Sequence, residues 1–372
     1  MRQQDQSNGP LMTERPRAEP RSDHLDAVRG VAISMILVRH LWDPFPGDTR
    51  LGLLIAQLID PLMSLSWTGV DLFFVLSGYL IAGSLIDNRD ASNYFPVFYG
   101  RRTVRILPLY IILLAAAAAS GTLLQPLAHL TFTQNYAFAS QPEWGTLMTR
   151  VTWSLAVEEQ FYLILPLIVR FMDRRYLPYI FCAMIAIAPV SRLLIGGILG
   201  NIDAAYLFLP CRMDGLFMGA LLAWAMRDQR AGHWLHDRSN LLIPAAMILA
   251  VGYCGLLVFS PDQRDTPMWS LGFTWCSGFY ATLLALVVRL PRAAVVPGPL
   301  RVLCWLGVRA YAIYLFHLPI VLALKRSGLS EHGLRNSALT MILVAIAAYL
   351  SWQLLEAPLI EWGRIRFRYR SR

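Results

Sequence analysis

The chain has 372 residues, of which 56% are hydrophobic and 15% charged, and its mean hydropathy is +0.46. A soluble domain of this size cannot bury so much apolar surface, so the composition excludes a soluble protein and indicates an integral membrane protein. Apolar runs of about 20 residues recur along the sequence and fit helices that span the hydrocarbon core, whereas a β-barrel would show short alternating segments. We predict an all-α, polytopic membrane helical bundle.

The two ends of the chain differ from the apolar middle. Residues 1–24 are polar and proline-dotted and run directly into the first apolar segment. They predict a disordered cytoplasmic N-terminal tail without a cleavable signal peptide. We expect residues 25–362 to form the membrane domain and residues 363–372 to form a basic cytoplasmic tail.

Charged residues, prolines and glycines divide the apolar runs into ten predicted transmembrane helices. These lie at 26–43, 62–86, 104–124, 152–170, 177–200, 204–226, 240–260, 268–288, 302–324 and 337–360. With the N-terminus in the cytoplasm, 22 of the 33 Lys and Arg residues fall inside and six outside. The positive-inside rule therefore favours about ten spans with both termini cytoplasmic. This topology accounts for most of the net charge of +9, and we expect no nucleic-acid partner.

The first predicted span contains two ionisable residues, Arg29 and His40, in an otherwise apolar helix. Such groups are costly inside a membrane and mark functional sites unless they are paired. Their spacing of 11 residues places both on one helix face, with roughly 16 Å between them along the axis. Each also has an ordinary explanation, since an arginine can snorkel to the interface and a histidine can hydrogen-bond to a neighbour. We predict a cation near the cytoplasm and a titratable imidazole deeper in the membrane.

The second span contains Asp71 within an apolar run, together with Gly69, Gly78 and Gly83. The glycines predict close approach of neighbouring helices. The carboxylate of Asp71 would either pair with a buried arginine or orient an imidazole.

The third span opens with Arg101, Arg102 and Arg105 at the predicted cytoplasmic edge. Arg102 and Arg105 are three residues apart and face the same way on a helix. Arginines at this edge are common topology anchors. The alternative is a clamp for a phosphorylated cytosolic ligand, because guanidinium groups bind phosphate bidentately.

Further ionisable residues lie in the later spans. Adjacent Glu158 and Glu159 diverge by about 100° on a helix, so they are not expected to share one proton. The remaining candidates are Arg212, Asp214, His317 and Glu356. A salt bridge in the neighbourhood of Arg212 and Asp214 is the ordinary explanation for those two residues.

The sequence contains no recognisable motif for binding a metal ion or a nucleotide. The five cysteines, Cys182, Cys211, Cys254, Cys276 and Cys304, are scattered singly and are interpreted as small buried hydrophobic residues. Phosphate-loop, HExxH and dinucleotide-binding motifs are missing from the sequence. We expect no metal site and no tightly bound cofactor.

The order of these motifs resembles the acyltransferase family 3 of bacterial membrane proteins. The resemblance runs from about residue 24 to 362 and rests on an arginine and a histidine eleven positions apart in the first span, followed by GVDLFFVLSGYLI, RRTVR, TWSLAVEEQFYL, RMDGLFMGALLAW and YAIYLFHLP. Members often carry a soluble SGNH-type domain after the membrane core. We expect only the membrane unit here.

The resemblance implies a multi-pass O-acyltransferase of the bacterial inner membrane. Such an enzyme moves an acyl group, by default acetyl, from cytosolic acyl-CoA to a hydroxyl of a cell-envelope or exported glycan, such as O-antigen, exopolysaccharide or a lipid-linked saccharide. Carried over by position, the resemblance places catalytic roles on Arg29, His40 and Glu158, the last in preference to Glu159. It places donor binding on Arg102 and Arg105.

The remaining site residues are assigned on weaker grounds. We expect Asp71 to assist the catalytic group and Arg101 to join the donor-binding arginines. We further expect Arg212, Asp214 and His317 to bind the acceptor substrate.

Two alternatives stay open at this stage. His40 would act either as a general base in a ternary complex or as a nucleophile that carries the acyl group. A transporter of lipid-linked sugars or protons, without acyl chemistry, would use the same buried ionisable residues.

Overall fold

The computed structural model describes residues 22–41, 63, 65–141, 144–290, 297–298, 300–328 and 334–370. Within these ranges all regular structure is helical and no β-strand occurs, which confirms the predicted all-α class. A helix satisfies its own backbone hydrogen bonds, as an apolar surrounding requires. Most of the predicted tail at 1–24 lies outside the described residues, and the first helix begins inside that range, at Asp23.

The N-terminal half of the chain forms helices of very different lengths. In the described residues these are α1 (Asp23–Leu41), α2 (Gly69–Asp87), α3 (Tyr94–Ala119), α4 (Pro126–Leu130), α5 (Gln134–Phe138), α6 (Thr152–Phe171) and α7 (Leu177–Arg192). A 3₁₀ turn at Leu65–Thr68 leads into α2, and a π-helical segment at Leu193–Ile198 extends α7.

The C-terminal half continues the bundle. Its described helices are α8 (Ile202–Leu207), α9 (Leu209–Ala225), α10 (Gln229–Asp237), α11 (Leu242–Phe259), α12 (Phe273–Val287), α13 (Leu300–Val308), α14 (Ala310–Arg326), α15 (Leu334–Ser351) and α16 (Ala357–Arg366). A 3₁₀ turn at Ser239–Leu241 precedes α11. Further π-helical segments at Met268–Gly272 and Trp352–Glu356 precede α12 and α16.

Each of the ten predicted spans coincides with helical structure, but fewer are apolar enough to cross a membrane by themselves. Among the described residues, seven helical stretches meet that requirement, and the α13–α14 pair raises the number to eight if it counts as one span. The other two predicted spans are α1 and α6. They carry the charges that make them functional candidates, and those charges lower their hydropathy. The count of ten and the orientation of the termini stay predictions.

The predicted span 302–324 is not one straight helix. Its two parts, α13 and α14, meet at Arg309 with a bend of 79°. The Arg309 guanidinium lies 4.4 Å from the centre of the Trp305 ring and within 6 Å of the Tyr349 and Trp352 rings. The aromatic faces stabilise a cation where the helix is interrupted.

The basic cytoplasmic tail at 363–372 stays a prediction, and its described residues contact the bundle. Helix α16 continues to Arg366, and the residues that follow pack on α3. The carbonyl of Phe367 accepts a hydrogen bond from Nε of Arg101 at 2.8 Å, and the carbonyl of Arg368 accepts one from Asn93. Of the cysteines, only Cys211 and Cys276 are buried, whereas Cys182 and Cys254 are exposed on the outside of the bundle.

Close helix packing occurs at the glycines of α2, as predicted. A Cβ added at Gly78 would lie 1.9 Å from the carbonyl oxygen of Leu216 on α9, and one added at Gly69 would lie 2.6 Å from the carbonyl oxygen of Ala32 on α1. Only glycine allows the backbones to approach this closely. The α2 helix is therefore fixed between α1 and α9.

We predict that Gly78→Ala destabilises the protein by about 1–3 kcal/mol, the usual cost of forcing an extra group into a packed interior. The matched control is Gly278→Ala on α12, where an added Cβ meets no atom within 4 Å. That control should be neutral or slightly stabilising, because alanine favours a helix by up to about 1 kcal/mol over glycine. Thermal unfolding in detergent measures both variants, and equal midpoints would contradict the predicted contact.

Candidate active site

A cavity of about 780 Å³ lies between α2, α3, α6, the α13–α14 bend and the segment from Trp352 to Arg364. Its charged lining residues are Arg29, Arg102, Arg105, Arg364, Glu158, Glu356 and Glu361. Four of them, Arg29, Arg102, Arg105 and Glu158, are sequence-predicted site residues from three different helices. Folding brings these four together around one space.

Arg29 extends from α1 to the cavity, and its guanidinium is held by a residue one helical turn earlier on α1. Its Nη1 donates to Oδ1 of Asp26 at 2.5 Å, and Asp26 is itself buried. Residues three apart on a helix are neighbours, so this pair follows from local geometry. Asp26 was missed by sequence reasoning, although its spacing from Arg29 carried the signal.

Arg102 and Arg105 lie on the cavity wall, whereas Arg101 does not. The guanidinium of Arg102 stacks over the ring of Tyr162 at 5.5 Å. Within the described part of the chain, neither Arg102 nor Arg105 forms a salt bridge. Arg101 points about 100° away on the helix, toward the Phe367 carbonyl and the Tyr369 ring. The structure therefore separates Arg101 from the two arginines with which it was grouped.

Glu158 lies on the cavity wall, and its neighbour Glu159 does not. Beside Glu158 the hydroxyls of Ser77 and Tyr162 form a hydrogen bond of 2.6 Å, and both residues also line the cavity. The carboxylate is close enough to Arg102 and Arg105 to interact with them electrostatically. Among the described residues, Glu158 thus lies near two cations and contacts no histidine.

The π-helical segment Trp352–Glu356 contributes a second carboxylate. Glu356 lines the cavity, and its Oε1 accepts a hydrogen bond from the Ser351 hydroxyl at 2.9 Å. Such segments are rare and are often found at functional sites, because they turn a side chain out of the regular helical register. The sequence identified Glu356 as ionisable but gave no sign of this local geometry.

His40 and His317 meet outside the cavity lining. Nε2 of His317 lies 3.1 Å from Nδ1 of His40, and the ring centres are 5.0 Å apart. The link to the cavity runs through Tyr314, one turn before His317 on α14. The ring of Tyr314 lines the cavity, and its hydroxyl is 2.6 Å from the Ser154 hydroxyl. Ser154 and Tyr314 were not recognised as site residues from the sequence.

Asp71, Arg212 and Asp214 do not reach the cavity but form a buried charge network. Arg212 donates to Asp71 at 2.7 Å, and Arg192 donates to Asp214 at 2.9 Å. All four residues are at most 2% exposed. The neighbourhood of Arg212 and Asp214 is salt-bridged as predicted, but each residue takes its partner from another helix.

The network explains why these charges are tolerated in an apolar interior. Arg192 also donates to the carbonyls of Ser270 and Cys211 and to the Thr274 hydroxyl. The Arg212 guanidinium lies 4.1 Å from the centre of the Phe273 ring. A buried charge is stable only when it is paired and hydrogen-bonded in this way. Asp71, Arg212 and Asp214 thus lie in this network and not on the cavity wall, and their expected catalytic and acceptor-binding roles stay predictions.

Within the described residues no group of three or more His, Cys, Asp or Glu side chains is placed to hold a metal ion. The cavity wall combines guanidinium groups, carboxylates and hydroxyls. This set suits an anionic organic ligand, since guanidinium groups hold phosphate or carboxylate oxygens through charge-assisted hydrogen bonds.

The sequence is similar to known proteins over most of its length. A profile described as an acyltransferase domain, acyltransferase family 3, matches residues 23–356. The O-acetyltransferase OatA of Staphylococcus aureus (strain NCTC 8325 / PS 47) is 25% identical over 346 residues, which cover 86% of this chain and 57% of the relative. The putative O-acetyltransferase SACOL0978 of Staphylococcus aureus (strain COL) is 26% identical over 295 residues, which cover 73% of this chain and 48% of that relative. No solved structure matches the chain.

The chain thus spans about 57% of the length of the first of these relatives. The matched family region begins at the first residue of α1 and ends at Glu356 on the cavity wall, so it contains most of the residues that line the cavity. By the extent of this match, the chain belongs to the acyltransferase family 3.

Proposed function

We propose that this protein is a multi-pass O-acetyltransferase of the bacterial inner membrane that transfers acetyl from cytosolic acetyl-CoA to a hydroxyl of a cell-envelope or exported glycan. The observation that carries the proposal is the cavity, in which Arg29, Arg102, Arg105 and Glu158 converge. The O-acetyltransferase names of the relatives support the reaction type. The O-antigen, exopolysaccharide and lipid-linked saccharides are acceptors of the proposed class.

The proposed donor site is the wall formed by Arg102 and Arg105. Coenzyme A carries phosphate groups, and two guanidinium groups that form no salt bridge among the described residues would bind them bidentately. The other two cavity arginines are already engaged, Arg29 with Asp26 and Arg364 with Glu361. Phosphate binding therefore falls to Arg102 and Arg105, while Arg29 would stabilise charge on the thioester portion of the donor.

The proposed chemistry takes place near His40. A neutral imidazole removes the proton of the acceptor hydroxyl, the hydroxyl oxygen attacks the thioester carbonyl, and the carbon–sulfur bond breaks. The coenzyme A thiolate then receives the proton from the imidazolium. The nucleophilic alternative places the acetyl group on His40 before transfer.

Membership of an acyltransferase family favours this proposal over a transporter of lipid-linked sugars or protons. Many transporters contain a matched pair of broken helices, whereas the described residues contain one bent helix pair, which meets at Arg309 and lines the cavity. Acyl-CoA turnover separates the two functions, because a transporter without acyl chemistry would show none.

The donor site is tested by Arg102→Ala and Arg105→Ala. Each should weaken coenzyme A binding by about 1.5–3 kcal/mol, because each removes charge-assisted hydrogen bonds to phosphate. Isothermal titration calorimetry with coenzyme A in detergent measures the loss. Arg101→Ala is the matched control, since Arg101 lies beside these residues on α3 but contacts Phe367. Equal affinity in all three variants and the wild type would rule out the clamp.

The two adjacent glutamates provide a second test. Glu158→Gln should slow acetyl transfer much more than Glu159→Gln, because only Glu158 lies on the cavity wall, near Arg102 and Arg105. Steady-state kinetics with acetyl-CoA and an acceptor glycan give the comparison. If both variants lose activity to the same degree, the predicted role of the Glu158 carboxylate in acetyl transfer is wrong.

His40→Ala should abolish acetyl transfer and leave coenzyme A binding near normal, because the phosphates are held by other residues. Mass spectrometry of envelope glycans from a gene-deletion strain, complemented with wild type or variant, measures the transfer. Incubation with radiolabelled acetyl-CoA and no acceptor separates the two mechanisms, since only an acyl-imidazole would label the protein. A folded His40→Ala variant that restores wild-type O-acetylation would refute the proposed function.

A further inference from the structure

His317 lies next to the proposed catalytic histidine but away from the cavity lining. It is fully buried on α14, whereas the His40 side chain at the end of α1 is exposed. A buried residue that does not line the cavity is poorly placed to bind an acceptor, which was its expected role. Its contact with His40 suggests a different one.

The protonation of His317 follows from its hydrogen-bond partners. Nδ1 lies 2.8 Å from the carbonyl oxygen of Tyr314 and 3.2 Å from that of Ile313. A carbonyl oxygen only accepts hydrogen bonds, so Nδ1 of His317 carries the hydrogen. In the neutral ring Nε2 then has a free lone pair and acts as an acceptor.

The same reasoning applies to His40. Its Nδ1 lies 3.1 Å from the carbonyl oxygen of Ile36 and 3.1 Å from Nε2 of His317. Both partners accept, so Nδ1 of His40 is the donor to each of them. The Ile36 oxygen is one helical turn back and is shared with the backbone ladder of α1, whereas Nε2 of His317 has no other hydrogen-bond partner among the described residues.

We propose that His317 is a positioning residue that holds His40 in the tautomer with hydrogen on Nδ1 and the lone pair on Nε2. In this tautomer the exposed ring presents an unprotonated nitrogen to the reactants. The inference rests on the proposed acetyl transfer, but it holds for both mechanisms, because a general base and a nucleophile need the same Nε2 lone pair.

The contact also serves the step after proton transfer. When Nε2 takes the proton from the acceptor hydroxyl, the His40 ring becomes a cation with hydrogen on both nitrogens. Its Nδ1–H still donates to Nε2 of His317, and a charged donor makes this hydrogen bond stronger. The proton then passes from Nε2 to the departing thiolate, and the starting tautomer is restored.

The first experiment measures the tautomer without relying on activity. Nitrogen-15 NMR of histidine-labelled protein in nanodiscs, at mildly alkaline pH, distinguishes protonated from unprotonated ring nitrogens, and the His40→Gln variant assigns the His40 signals. We expect a protonated Nδ1 and an unprotonated Nε2 in the wild type. In His317→Leu we expect the other tautomer to become populated.

The matched control is His129→Leu. His129 is also a buried histidine, burial lowers its pKa to about 4, and its side chain contacts Tyr110 rather than His40. This variant should leave the His40 signals unchanged. A wild-type protein with hydrogen on Nε2 of His40, or a His317→Leu variant with unchanged His40 signals, would overturn the proposal.

The second experiment is kinetic. His317→Leu should lower kcat by roughly 10- to 100-fold, the usual effect of losing a partner that orients a histidine, with little change in KM for acetyl-CoA. His317→Gln should recover part of the loss, because its side-chain oxygen can accept from Nδ1 of His40. Equal kcat in the Leu variant and wild type, or equal loss in the Leu and Gln variants, contradicts the positioning role. A wild-type protein with the expected tautomer but no acetyl transfer would refute the proposed function alone.

Discussion

Two ion pairs buried inside the helical bundle, Arg212 with Asp71 and Arg192 with Asp214, hold α2, one of the helices that line the cavity, against the rest of the bundle. They join α2, α7 and α9, and Thr274 extends the network to α12. Removing one partner from a buried pair leaves an uncompensated charge, which typically costs about 3–5 kcal/mol. The pairs therefore fix α2, whose other face lines the cavity.

The arginines that line the cavity differ from the arginines of the buried ion pairs. Arg102 and Arg105 line an open cavity and form no salt bridge within the described residues, in contrast to Arg192 and Arg212. A guanidinium in a closed apolar interior needs a carboxylate, whereas one that faces a polar cavity can await an anionic ligand. Solvation, and not residue identity, separates the structural arginines from the proposed donor-binding pair.

Helix irregularities coincide with the cavity. The bend at Arg309 and the π-helical segment Trp352–Glu356 both contribute to its wall. Backbone groups released from regular helical bonds are tolerated at membrane depth only where they are buried in protein or line a cavity. The irregular segments thus mark the place where the bundle departs from close packing and leaves space for a ligand. They also bring Glu356 to the wall of the cavity that Arg102 and Arg105 line.

The sequence by itself determined the features that depend on neighbours along one helix. The apolar runs defined the helices, and helical spacing placed Arg102 beside Arg105 and separated Glu158 from Glu159, because side-chain directions in a helix repeat with its period. Pairing between distant helices was not accessible in this way. Asp71 and Arg212 are 141 residues apart, and His40 and His317 are 277 residues apart. Only the tertiary structure decided these contacts, together with the bend at Arg309, because they depend on how helices remote in the chain pack against one another.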